Sequence, residues 1–185
     1  MTGLLGAALY GNLKKVKELL NRGANIHARS GSGLQAIHMA SEGHLPIVKE
    51  LINRGANVHA RDKRGNQPIH LTGRLPVVKE LLNQGANINA RDNTGRQPIY
   101  YAAQKGLLPF VKFLLNKGAS ANNVLKSNAV GANMKNAIKK YIENRNVTRA
   151  LIINSMAKGP KNNTKPFGFP NRFPINALVK SLRRK

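Results

Sequence analysis

One block of sequence recurs four times. Leu45 to Asp62 reads LPIVKELINRGANVHARD; it returns from Leu75 to Asp92 as LPVVKELLNQGANINARD and from Leu107 to Asn122 as LLPFVKFLLNKGASAN, and an earlier copy, LKKVKELLNRGANIHARS, runs from Leu13 to Ser30. The Gly-Ala step that closes each copy puts Ala24, Ala56, Ala86 and Ala119 at intervals of 32, 30 and 33 residues. A unit of about 30 residues is too small to bury its own apolar face, so tandem copies must stack on one another into a quasi-linear array.

The segments between the copies are also related. LQAIHMASEGH (Leu34 to His44), NQPIHLTGR (Asn66 to Arg74) and RQPIYYAAQKG (Arg96 to Gly106) precede the second, third and fourth blocks. Together with the blocks, they resemble the ankyrin repeat, D-x-x-G-x-T-P-L-H-x-A-A-x-x-G-H-x-x-V-x-x-L-L-x-x-G-A-D-V-N-A, over residues 3 to 121. The resemblance implies an all-α ankyrin-repeat solenoid of helix-turn-helix units. Three regions are expected: an array over 1–121 (an N-terminal cap plus three repeats), a helical C-terminal cap over 122–158, and a basic tail with Pro and Gly over 159–185.

Local chemistry locates the helices. Leu4 to Tyr10 and Leu13 to Asn21 read as a first pair, the second with Val16 and Leu19 or Leu20 at helical spacing. Inner helices are expected to start near Ala36, Pro68 and Pro98, and outer helices near Pro46, Pro76 and Pro109, because proline is tolerated in a first helical turn. Gly55, Gly85 and Gly118 stand where glycine ends a helix in the left-handed region. Asp62 and Asp92 open turns that contain Gly65 and Gly95.

Two departures from the pattern stand out. Gln35, Gln67 and Gln97 replace the family Thr, so an amide is expected to take over the hydroxyl's hydrogen bond. In the third unit Leu71-Thr72-Gly73-Arg74 leaves out nearly a turn of inner helix, which predicts a truncated helix capped by Gly73, or a bend. Beyond the array, Asn133 to Asn144 and Val147 to Lys158 read as two helices. Gly159 to Pro174 contains four prolines and two glycines and reads as an extended linker, and Ile175 to Arg184 as a short basic amphipathic helix.

The formal net charge is +24, with 31 Lys and Arg against 7 Asp and Glu. Residues 1–121 hold 17 basic and 6 acidic residues and residues 122–185 hold 14 and 1, so the C-terminal third is the more densely charged. Such a balance favours an anionic partner. There is no cysteine, which removes disulfides and thiolate chemistry, and neither a secretory signal nor a transmembrane segment is read. The implied setting is the cytoplasm, or a host cell if the source is an intracellular bacterium or a virus.

The histidines align with the repeat: His38 and His70 share a position with Tyr100, and His27 and His59 with Asn89. A position that accepts Tyr or Asn in another copy reads as structural, so no catalytic residue, metal ligand or cofactor is expected. Binding is the expected activity, in a monomer that takes a protein partner, with nucleic acid as the alternative. In the ankyrin family, partners lie along turn tips and inner helices. The matching positions here are Arg29 and Leu34 in the first turn, Arg61, Lys63, Arg64 and Asn66 in the second, and Arg91, Thr94 and Arg96 in the third, with Gln104 and Lys105 in the inner-helix segment that follows it. Arg29, Arg61 and Arg91 recur in register and predict a ladder, either free to clamp carboxylates or phosphates or partly neutralised by Asp62 and Asp92. In the tail, Phe167, Phe169 and Phe173 are interleaved with Lys161, Lys165 and Arg172 and read as an apolar clasp over the array, as groups that stack on bases, or as groups that insert into an acidic membrane interface. FPINALVKSL has a faint similarity to the opening of an F-box.

Overall fold

The computed structural model describes residues 3–158; the tail readings at 159–185, including the aromatic clasp and the final basic helix, fall outside the described residues. The described chain is helical, and it divides into a compact unit that ends at Lys139 and a second that begins at Lys140.

Helices alternate as the repeat requires. The inner series is α1 (Leu4–Leu9), α3 (Ala36–Ala40), α5 (Pro68–Leu71) and α7 (Pro98–Gln104); the outer series is α2 (Leu13–Asn21), α4 (Leu45–Asn53), α6 (Leu75–Asn83) and α8 (Leu108–Asn116). Inner helices pack on inner neighbours, α1 on α3, α3 on α5 and α5 on α7, while α2 meets α4 and α4 meets α6 on the outer side. Each unit therefore contributes one layer to a continuous core. Ile37, Ile47, Leu51, Ile69, Leu81, Ile99 and Leu114 are fully buried, and a side chain of this kind contributes about 1.5–3 kcal/mol on burial.

Helix ends follow the sequence closely. Gly55, Gly85 and Gly118 have φ of +91°, +84° and +94°. Gly33 and Gly65 serve a second purpose, since a Cβ at Gly33 would lie 2.8 Å from the backbone nitrogen of Lys63 and one at Gly65 would lie 2.8 Å from Cγ of Asn93, each in the next turn. Successive turns thus approach too closely there for any other residue.

Three expectations need correction. The glutamine amides share the hydroxyl's role without filling it: the Gln35 and Gln67 side chains face the N3 backbone N–H of their helices in a capping box but make no well-formed bond through their buried Oε1, while Gln97 Nε2 donates to Asn89 O and Oδ1 at 3.4 Å. Histidine closes the other half of the box, as the backbone N–H of Gln35 donates to His38 Nδ1 at 3.1 Å and that of Gln67 to His70 Nδ1 at 3.0 Å. In the third unit α5 is indeed cut to four residues, but Gly73 is not left-handed and does not cap it. The chain leaves the helix extended at Thr72 (φ −78°, ψ 142°), and Thr72 Oγ1 accepts from Arg74 N at 3.2 Å. A hydroxyl-closed loop replaces the missing turn.

The third correction lies beyond the array. After α9 (Asn122–Lys126), one helix, α10 (Ala132–Lys158), replaces the expected two. Asn144 and Asn146 are weak helix formers, but the segment has neither Gly nor Pro and Arg145 favours helix, so nothing there breaks the hydrogen-bond ladder. Val124, Val130 and Ile138 are buried, which carries the apolar core of the first compact unit past the fourth block.

Candidate partner-binding surface

The turns that follow Ala28, Ala60 and Ala90 form adjacent tips. They are tied edge to edge: Lys63 N donates to Ser32 O at 3.0 Å, Asn93 N to Arg64 O at 2.9 Å, and Asn93 Nδ2 to Lys63 O at 3.0 Å. Beneath the tips, histidines link successive layers. His38 Nε2 lies 3.0 Å from Ala60 O and 3.2 Å from Asn66 O, and His70 Nε2 lies 3.1 Å from Ala90 O. With Nδ1 accepting from a backbone N–H, each ring is neutral and donates through Nε2. Burial holds both histidines below the usual imidazole pKa, against the smaller opposing effect of the carbonyls they face.

The arginine ladder forms, but it faces carbonyls. Arg29 Nη1 donates to Gly33 O at 3.0 Å and to Arg61 O at 2.7 Å; Arg61 Nη2 donates to Asn93 Oδ1 at 3.2 Å; Arg91 Nη1 donates to Gly95 O at 3.0 Å. Neutralisation by Asp62 and Asp92 is not what the geometry shows. Asp62 accepts from Arg64 N, Asn66 N and Asn66 Nδ2 at 2.8–3.0 Å. Asp92 pairs with Arg96, not with Arg91. The ladder arginines brace the tips, with part of each guanidinium already committed.

Asp92 is the most heavily bonded side chain of the surface. Its carboxylate is fully buried and accepts from Thr94 N, Thr94 Oγ1 and Arg96 N at 2.8 Å, from Arg96 Nε at 2.9 Å, and from the Tyr101 hydroxyl at 2.6 Å. Burial pushes its pKa up, but the donations from Tyr101, Thr94 and Arg96 outweigh this and hold it well below the usual carboxylate range. Burial and the same bond push Tyr101 up to about 12, and the bond to Asp92 raises Arg96. The Arg96 guanidinium also lies 5.5 Å and 5.3 Å from the ring centroids of Tyr100 and Tyr101, within cation–π range. Carboxylate and rings together fix its orientation.

The remaining expected residues divide by exposure. Lys63, Arg64, Gln104 and Lys105 are exposed, Leu34 is half-buried, and Thr94 is exposed with its hydroxyl spent on Asp92. Asn66 is 5% exposed and faces inward to Asp62 and Tyr101. Lys63 and Arg64 pair with no carboxylate among the described residues.

Residues that sequence reasoning did not single out complete the surface. Tyr101 organises Asp92, and its cue was a Tyr where the preceding copy has Leu71. Asn123 Nδ2 donates to Gly95 O at 2.9 Å and attaches α9 to the third tip. Between that tip and α9 lies an open cleft of about 550 Å³, whose cations are Arg91, Arg96 and Lys126. Lys126 carries no local signal linking it to a turn 30 residues upstream.

On the outer side, Lys17 meets Glu50 and Lys49 meets Glu80, both at 3.7 Å. The fourth copy has Phe113 where the others have Glu, and Lys79 sits 5.9 Å from its ring centroid. Each lysine thus reaches one unit ahead, a solvated inter-unit ladder of small energetic weight.

Among the described residues no group of three His, Cys, Asp or Glu side chains could hold a metal ion, and no helix is long and apolar enough to cross a membrane. A protein-family model described as ankyrin repeats (3 copies) matches residues 4–92 and 43–125. The search of curated proteins returned no match.

Proposed function

Because the chain belongs to the ankyrin-repeat family, whose arrays are generally protein–protein interaction modules, we propose that it is a non-enzymatic, monomeric binding module. Its tips and inner helices receive an acidic surface of a protein partner. The observation that carries this reading is the pairing of rigidity with unspent charge. The tips are hydrogen-bonded to one another, yet Lys63 and Arg64 project from them without a carboxylate partner among the described residues. Fixed backbone means little ordering entropy is lost on binding, so modest contacts suffice. Arg29, Arg61 and Arg91 support the tips that present these cations.

Nucleic-acid binding is the second reading, and charge density favours it. Residues 122–158 hold seven Lys and Arg against one Glu, and Lys139, Lys140 and Arg149 are exposed on α10. The two readings separate in one titration. The full chain is mixed with a fluorescein-labelled Glu-rich peptide and, separately, with a labelled DNA duplex, each at low and physiological salt. A protein-binding module keeps the peptide at physiological salt and loses it in Lys63→Glu/Arg64→Glu. If instead the duplex is retained, the peptide is not, and binding falls when Lys139, Lys140 and Arg149 are neutralised, the nucleic-acid reading replaces it, with the salt slope counting the phosphates engaged.

A further inference from the structure

We propose that the cleft between the third tip and α9 is an anchoring site for an acidic peptide segment, two neighbouring carboxylates being taken by Arg96 and Lys126. The proposal rests on the protein-binding reading and assigns that reading a defined end point. Its first support is charge. Arg91, Arg96 and Lys126 line the cleft, and the one nearby carboxylate, Asp92, is sealed behind Arg96 with a fully buried side chain. Two of those three cations therefore have no counter-charge among the described residues, and an anion entering the cleft relieves their mutual repulsion.

The second support is preorganisation. Arg96 spends Nε on Asp92, and its guanidinium interacts with Tyr100 and Tyr101, which leaves terminal N–H groups, on a side chain 36% exposed, for a carboxylate. A guanidinium already fixed in place loses less entropy on forming a paired hydrogen bond than a free one. The opposite wall is fixed too, since the Asn123 amide bonds to Gly95 O and thereby ties α9, which carries Lys126, to the tip. Ser127, whose Oγ accepts from Ala129 N at 3.1 Å, lines the same wall.

Size and position select a peptide over a single small anion. About 550 Å³ exceeds what one oxyanion fills and falls within the range of pockets that bury larger ligands. The cleft also continues the row of tips, because the third tip is bonded directly to the second through Asn93 N and Arg64 O. An extended acidic segment that runs over Lys63 and Arg64 reaches the cleft at its end.

The test is a ¹⁵N NMR titration of the full chain with an acetylated hexaglutamate peptide at physiological salt. The expected result is shifts concentrated on the amides of Thr94 to Arg96 and Asn123 to Ser127 and on Arg96 Nε. Lys126→Glu, an exposed substitution whose amide dispersion should match the parent, is expected to weaken binding at least tenfold. Lys14→Glu, on the outer side, should change it less than threefold. Shifts confined to Lys63 to Asn66 would overturn the anchoring site while leaving the protein-binding reading intact. No shifts in the array, or shifts confined to residues 159–185, would overturn both. Inorganic phosphate that reproduces the same shifts and displaces the peptide at equal concentration would make this a small-oxyanion site and overturn the peptide assignment.

Discussion

The second and third tips share a sequence plan, Asp-x-x-Gly followed three residues later by Pro-Ile, and use it differently. At the second tip Asp62 bonds two backbone N–H groups and the Asn66 amide, and it stays partly exposed. At the third, Arg96 stands where Asn66 does and Tyr101 where Leu71 does, so the equivalent aspartate becomes a buried hub with five donors. The backbone turn is the same. Two side-chain changes convert a loop that closes itself into one that closes itself and aims a cation.

The comparison breaks most sharply at the two aspartates. Asp92→Ala removes the acceptor of five hydrogen bonds and leaves Arg96 without its counter-ion, so urea denaturation should show a loss of about 3–4 kcal/mol. Asp62→Ala should cost about 1–2 kcal/mol, since Asp62 is itself partly exposed and accepts three bonds, none of them from a charged group. Equal losses would mean that Tyr101 and Arg96 add nothing to the third tip.

Next comes pH, because the first two junctions are linked by histidine and the last has Tyr100. His38 and His70 have folded pKa values below the ordinary imidazole value of 6.5, chiefly through burial. The folded state binds fewer protons than the unfolded one, so their stabilisation is complete above pH 6.5 and is lost as the pH falls from there toward the folded values. Stability should decline by up to about 1.4 kcal/mol per pH unit for each histidine in that window, and His70→Asn should reduce the slope. Asp92 acts in a lower window. Its depressed pKa gives stability that is present above the unfolded value near 3.8 and lost as the pH falls further.

Tyr101→Phe isolates one bond of the hub and should cost about 1–2 kcal/mol, with Asp92 titrating closer to an ordinary carboxylate by NMR. The smallest effect belongs to the outer side. Phe113→Glu would extend the Lys–Glu pattern to Lys79, and its stability should change by less than about 1 kcal/mol and depend on salt.

The legible parts of the molecule were those with local causes. Periodic apolar residues, prolines in first turns and glycines after outer helices placed α1 to α8 within a residue or two. The shortened inner helix was legible in Leu71 to Arg74, but its closure by the Thr72 hydroxyl was not, since Gly73 carried the more familiar cap signal. The partners of Arg29 and Arg61, and the tip that shares a cleft with Lys126, were hidden for a different reason. Each lies about 30 residues away, and a repeat shows which positions align without showing which atoms meet. Alignment announced a row of arginines and could not say that carbonyls occupy it.

The central claim is that the third tip presents a fixed cation where the second presents a free one. Arginine side-chain ¹⁵N relaxation of the full chain tests it most directly, through the order parameters of the Arg96 and Arg64 Nε–H vectors. Arg96 is expected near the rigid-backbone value of about 0.85 and Arg64 below about 0.6. Equal mobility at the two sites would contradict the account, since Asp92 and the tyrosines would then not be holding Arg96 in place.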